Sequence, residues 1–163
     1  MSDEQPESPM RKHPAHGVLF RDPKPTIVFV TACTKDRRPW LANPLFHDAM
    51  LKAWTEADAW LVGRYVIMPD HVHLFAAPSQ VSIELDAWIQ FWKSTFTKRV
   101  RLAASLDIPA RPWQTAHWDT RLRTWESYDQ KWDYVRNNPV RYGLVARPEE
   151  WPYQGEMHLL TWD

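Results

Sequence analysis

The chain has 163 residues, 44% of them hydrophobic, an ordinary size for one domain with a core of its own. Twenty Lys and Arg balance twenty Asp and Glu, so no global positive field announces a nucleic-acid partner and any electrostatic case rests on local clustering. The single cysteine, Cys33, excludes an internal disulfide and a cysteine-rich zinc site, and no stretch has the apolar length of a membrane span or the form of a signal peptide. A cytoplasmic address without membrane contact is therefore expected.

From Met1 to Lys24 the sequence is charged and proline-punctuated without periodicity, which reads as a flexible arm ahead of one domain over 25–163. Thr26 to Cys33, TIVFVTAC, is β-branched and aromatic, as a buried strand would be. His47 to Ala59 spaces Met50, Leu51, Trp54 and Ala57 helically, with Asn43-Pro44 as an entry signal. Trp60–Met68 and His71–Ala77 are apolar, β-prone runs joined by Pro69-Asp70, the pattern of an antiparallel hairpin. Leu85, Trp88, Ile89, Trp92 and Phe96 mark a long helix from Ser82, its N-cap, to about Ser105. Trp118–Arg123 predicts a short strand, and Glu126–Asn138 a last helix that Pro139 ends. The order is that of a ferredoxin-like α+β fold, an antiparallel sheet backed by helices, with an appended C-terminal helix.

Two histidines, His71 and His73, flank Val72 in a predicted strand. Their imidazoles project from one face, where both can bind one cation, while Val72 points into the core. A His-X-His pair also arises as a surface feature; here the apolar, turn-forming context MPDHVHLF favours a site. Tyr134 and Asn138, four apart, share a helix face. Over the sheet, the Asn138 amide oxygen would complete a two-histidine, one-oxygen site with Tyr134 beside it. A phenol of pKa near 10 needs such a cation to act as a nucleophile. The competing reading makes Tyr134 a packing residue and Asn138 a helix end.

The strings MPDHVHLF, Trp92-Lys93, Trp113-Gln114 and above all ESYDQKWDYVRNNPVRYGLV resemble the REP-associated tyrosine transposases, a branch of the HUH superfamily of single-tyrosine transposases. The resemblance runs from about Thr26 to Gly155. It implies that His71, His73 and Asn138 hold Mg2+ or Mn2+, and that Tyr134 is the catalytic nucleophile. It further implies cleavage of single-stranded DNA at palindromic hairpins, with a 5′-phosphotyrosine link and a free 3′-hydroxyl. Monomers and homodimers both occur in such a family, and a nucleoid-associated cytoplasmic protein follows.

Seven Lys and Arg stand against two Asp between Gln90 and Thr124, a local excess that suits binding of a phosphate backbone. Lys93, Arg121 and Arg123 are the first candidates for DNA contact, by their place near the resembling segments. Trp54, Trp88 and Trp92 fall on apolar helix stripes, whereas Trp113 and Trp118 flank a polar segment and are candidates for stacking on unpaired bases. Cys33 reads as a buried small hydrophobe. Tyr128 is about 240° from Tyr134 around a helix, so the two do not share a face. Two other functions use the same residues: a nucleic-acid-binding ferredoxin-like module that does not cut, and a metal-dependent hydrolase of small phosphate esters.

Overall fold

A computed structural model describes residues 26–79, 83–103 and 108–161. The arm predicted over 1–24, the Ser82 cap and the helix end at Ser105 lie outside the described residues.

Strand β1 (Ile27–Cys33) is buried along its length, as its composition requires of a strand covered on both faces. Helix α1 (Pro44–Glu56) begins three residues before the expected His47 because the Asn43 side chain accepts the Phe46 N–H at 2.9 Å. Pro44 occupies the first turn, where a missing N–H costs nothing. Strands β2 (Trp60–Ile67) and β3 (His71–Pro78) form the predicted hairpin, closed by the Met68 N–H on the His71 carbonyl at 2.8 Å. Helix α2 (Leu85–Ala103) and strand β4 (Trp118–Leu122) follow.

The predicted last helix is two helices, α3 (Trp125–Arg136) and α4 (Asn138–Arg141), broken at Asn137. Thr124 caps α3 by accepting the Ser127 N–H at 3.1 Å. Pro139 does not terminate the helix as expected: it sits in the first turn of α4, where proline is tolerated. A further strand, β5 (Gln154–Glu156), pairs with β2 and was not predicted, because three residues give no periodic signal.

The five strands pair antiparallel in the order β4-β1-β3-β2-β5. The first four, with α1 and α2 as the two crossovers, make the ferredoxin-like plan. Alternation in β1 and β3 sorts side chains between two cores. Val28, Val30, Ala32, Val72, Leu74 and Ala76 pack with α1 and α2 on one face. Ile27, Phe29, Phe75 and Ala77 pack with Tyr128 and Val135 of α3 on the other. Each fully buried aliphatic or phenyl group contributes about 1.5–3 kcal/mol, so the alternation fixes the register of the hairpin. Trp54, Trp60, Trp88, Trp92, Trp113 and Trp151 are all buried, and those of Trp60, Trp88 and Trp151 donate their indole N–H to the carbonyls of Ile83, Ala57 and Ile67. The tryptophan-rich composition therefore mainly builds core. Cys33 is buried as expected.

Candidate active site

The Pro69-Asp70 turn delivers His71 to the first position of β3, and the strand's period of two turns His71, His73 and Phe75 toward the α3 face. Val72 is fully buried on the opposite face, as the sequence predicted. The two imidazoles converge: His71 Nε2 and His73 Nε2 lie 3.1 Å apart. Their other nitrogens are each engaged, His71 Nδ1 with Asp70 Oδ1 at 2.7 Å and His73 Nδ1 with Thr31 Oγ1 at 2.8 Å. Donor and acceptor roles follow from this network. His71 Nδ1–H donates to the carboxylate, so its Nε2 accepts; His73 Nε2–H donates to it, and the Thr31 hydroxyl donates to His73 Nδ1.

This arrangement fits a cation. Two nitrogens 3.1 Å apart match adjacent corners of an octahedron with bonds of roughly 2.1 Å, whose edge is about 3.0 Å. A cation there would be bound by both Nε2 atoms with the His73 proton carried on Nδ1 instead, donating to Thr31 Oγ1. Partners on both Nδ1 atoms are what hold ligating imidazoles in orientation. Among the described residues no three His, Cys, Asp or Glu side chains gather into a metal site, so a third protein donor has to be another group, such as an amide oxygen.

Arg37 completes the surroundings of His71. Its Nε donates to Asp70 Oδ2 at 2.9 Å, and its guanidinium comes within 3.4 Å of His71 Nδ1. Asp36 and Arg37 are the only non-glycine residues with positive φ among the described residues, at 57° and 54°. Such backbone costs about 1 kcal/mol or more per residue, and here it carries Arg37 back toward the start of β3. Burial raises the Asp70 pKa, but hydrogen bonds from His71 and Arg37 outweigh it and hold the carboxyl at about 2. Desolvation lowers the pKa of His71 against the pull of Asp70. It lowers that of His73 much further, helped by repulsion from His71, Lys131, Arg141 and Arg37. Both rings are therefore neutral near pH 7, the form that can ligate a metal.

Helix α3 docks over this face through Tyr128, whose ring lies 4.7 Å from Phe75, and Trp132, 6.2 Å from the same ring. That docking brings Lys131 of α3 and Tyr142, just after α4, to the histidine face. The Tyr142 ring is 6.2 Å from that of His71, and Lys131 Nζ sits 5.2 Å over Phe29, which itself stacks on His73 at 5.3 Å. Asn138 is buried, and its Oδ1 accepts from Arg141. Tyr134 is 39% exposed, and the Arg141 guanidinium lies 3.8 Å over its ring. Thus His71 and His73 meet directly, and Tyr134 and Asn138 meet through Arg141. Tyr128, the other tyrosine of α3, is buried against the sheet.

The predicted DNA contacts divide. Lys93 is buried on α2, its Nζ donating to the Gln114 carbonyl at 3.1 Å; burial lowers its pKa to about 8. It is not the solvated phosphate-facing cation that the sequence suggested. Trp113 is likewise in the core, 5.6 Å from both Trp92 and Phe96, and does not offer a stacking surface. Arg121 pairs in register with Val28, which assigns it to the α1–α2 face, away from the histidines; Arg123 is exposed beyond the end of β4. The positive run around α2 is partly consumed locally: Arg99 pairs with Glu56, and Arg101 donates to the carbonyls of Pro109 and Ala110 at 3.0 and 2.7 Å. Trp118 is different. It pairs with Thr31, the residue bonded to His73, so it lies half-buried on the histidines' face of the sheet, with β1 between it and β3. The cations that surround the site, Arg37, Lys131 and Arg141, lie outside the positive stretch between Gln90 and Thr124 to which the sequence pointed; the short Lys35, Arg37, Arg38 cluster and the Arg of the NPVR segment were the available signals.

No family model matches the chain. It is 27% identical over 129 residues to the REP-associated tyrosine transposase of Escherichia coli strain K12, spanning 77% of this chain and 73% of that protein. A second relative, from Haemophilus influenzae and provisionally given the same name, is 27% identical over 53% of each chain. The fold matches that of a REP-associated tyrosine transposase solved bound to a REP hairpin, with a TM-score of 0.65 and 22% identity over 80% of this chain and 76% of the other.

Proposed function

We propose that the chain acts as a REP-associated tyrosine transposase, as the relatives and the fold neighbour of that name support, and that it cleaves and rejoins single-stranded DNA at palindromic, REP-like hairpins, forming a 5′-phosphotyrosine intermediate. The observation that carries this reading is the pair of Nε2 atoms 3.1 Å apart with both Nδ1 atoms held. His71, His73 and the Asn138 amide oxygen would hold Mg2+ or Mn2+. Such a cation polarises a phosphate and favours the phenolate over the phenol.

The chain's own residues supply the rest. Tyr134 Oη attacks the scissile phosphorus and gives up its proton to solvent, the bond to the 3′ oxygen breaks, and that oxygen takes a proton back from solvent to leave as a 3′-hydroxyl. Attack by a second 3′-hydroxyl on the phosphotyrosine restores Tyr134 and joins the strands, so no external energy source enters. Arg37, Lys131 and Arg141 place positive charge around the histidines, where a phosphodiester and its transition-state charge would be stabilised. Trp118, on the same face of the sheet one strand away, would offer an aromatic surface to an unpaired base flanking the cleavage point.

The test uses a labelled single-stranded hairpin with flanking sequence, incubated with the protein and Mn2+. A covalent adduct stable to detergent is expected for the wild type and absent for Tyr134→Phe and in excess chelator. Adduct formed by Tyr134→Phe, or full cleavage under chelation, overturns the mechanism. Tight hairpin binding without cleavage by any metal would favour the non-catalytic binding module.

A further inference from the structure

The break at Asn137 separates two groups that the proposed reaction needs together. Tyr134 stands in the last turn of α3 and Asn138 is the first residue of α4. Arg141 spans that break: its guanidinium donates to Asn138 Oδ1 and lies 3.8 Å over the Tyr134 ring. We propose that Arg141 is a positioning residue that fixes the nucleophile and the third ligand donor relative to one another. This rests on the reading of Tyr134 as nucleophile and Asn138 as donor.

Helical side chains lean toward the N-terminus, so Arg141, three residues after Asn138 and seven after Tyr134, reaches back over both. Tyr134 is 39% exposed, and a phenol on the surface without a partner on its ring face samples several rotamers. The stacked guanidinium selects one. The same planar fork bonds the amide oxygen with an N–H, and an amide oxygen has a second lone pair with which to ligate. Charge alone is not the distinctive contribution of Arg141, since Lys131 and Arg37 also act on His73. What Arg141 adds is a flat, directional contact to two groups at once. A lysine at this position keeps the charge and loses that geometry.

Arg141 is exposed, so Arg141→Lys and Arg141→Ala are expected to fold and to melt as the wild type does. Single-turnover adduct formation on the single-stranded hairpin with Mn2+ should slow about 10- to 100-fold in both variants, the scale of a small misplacement of reacting groups. Hairpin affinity measured in chelator should be retained by Arg141→Lys. In the protein without DNA or metal, the Tyr134 ring resonances, assigned by their loss in Tyr134→Phe, should shift in both variants. A wild-type rate in Arg141→Lys, or Tyr134 resonances that do not move in either variant, overturns the proposal. A wild type that forms no adduct overturns instead the nuclease reading, and the Tyr134 resonances then still decide whether Arg141 holds the phenol.

Discussion

Asp70→Asn isolates the contribution of the carboxylate that orients His71. In the folded protein this carboxyl is held at about 2, against an ordinary 3.8, because it accepts from His71 Nδ1 at 2.7 Å and Arg37 Nε at 2.9 Å. A depressed carboxyl contributes stability that is fully present above its unfolded value and is lost as the pH falls through its folded value. At 1.36 kcal/mol per pKa unit that amounts to about 2 kcal/mol, lost between about pH 4 and pH 2. The lowered pKa values of His71 and His73 act in a separate window. Both imidazoles are neutral in the fold and take up protons on unfolding, so their contribution falls as the pH drops below about 6.5. Urea unfolding followed by tryptophan fluorescence at a series of pH values separates the two. The wild type should lose stability in both windows, and Asp70→Asn should lose the lower limb only. At pH 7 the variant should be less stable by about 2 kcal/mol, lowering the melting temperature by roughly 4–8 °C for a chain of this length. Wild type and variant with parallel profiles between pH 4 and pH 2 would refute the argument that the Asp70 carboxylate is held by His71 and Arg37.

Thr31→Val removes the hydroxyl bonded to His73 Nδ1. Titration calorimetry should show Mn2+ affinity falling about 10- to 100-fold, as for other partners of ligating histidines. Trp113→Ala and Trp118→Ala should separate two kinds of tryptophan. The first empties a core site and should cost about 3–5 kcal/mol of unfolding free energy. The second removes a half-buried ring, so it should cost less unfolding free energy than the first, and it should weaken single-stranded DNA binding by about 1–3 kcal/mol, read by fluorescence anisotropy. Lys131→Met removes a cation that helps keep His73 neutral, so the acid limb of the cleavage–pH profile should move to higher pH.

The hairpin was legible because its signals are local. A turn-forming Pro69-Asp70 between two β-prone runs, with alternation on one of them, was enough to place His71 and His73 on one face and Val72 on the other. The core tryptophans of α1 and α2 were legible for the same reason, since helical spacing repeats within a few residues. Asn138 and Tyr134 were legible as neighbours, although the helix between them breaks at Asn137, because the Asn137 backbone (φ −85°, ψ −3°) stays near helical values and carries the chain direction onward.

What could be read from sequence alone was thus periodicity, turn chemistry and the residue types of a two-histidine, one-tyrosine site. The tertiary structure decided which charges surround that site. Lys93 and Arg121 belong to the positive run in sequence, yet the sheet stands between the α1–α2 face and the histidines. Arg37, 34 residues before His71, reaches it because β1 and β3 pair with Cys33 opposite His71. Thr31 reaches His73 through the same register, and Lys131 and Arg141 arrive with the docking of α3 on Phe29 and Phe75. Strand pairing and helix docking are contacts between residues distant in sequence, selected by burial of whole faces. A local pattern specifies which face a side chain takes and leaves open what that face will meet.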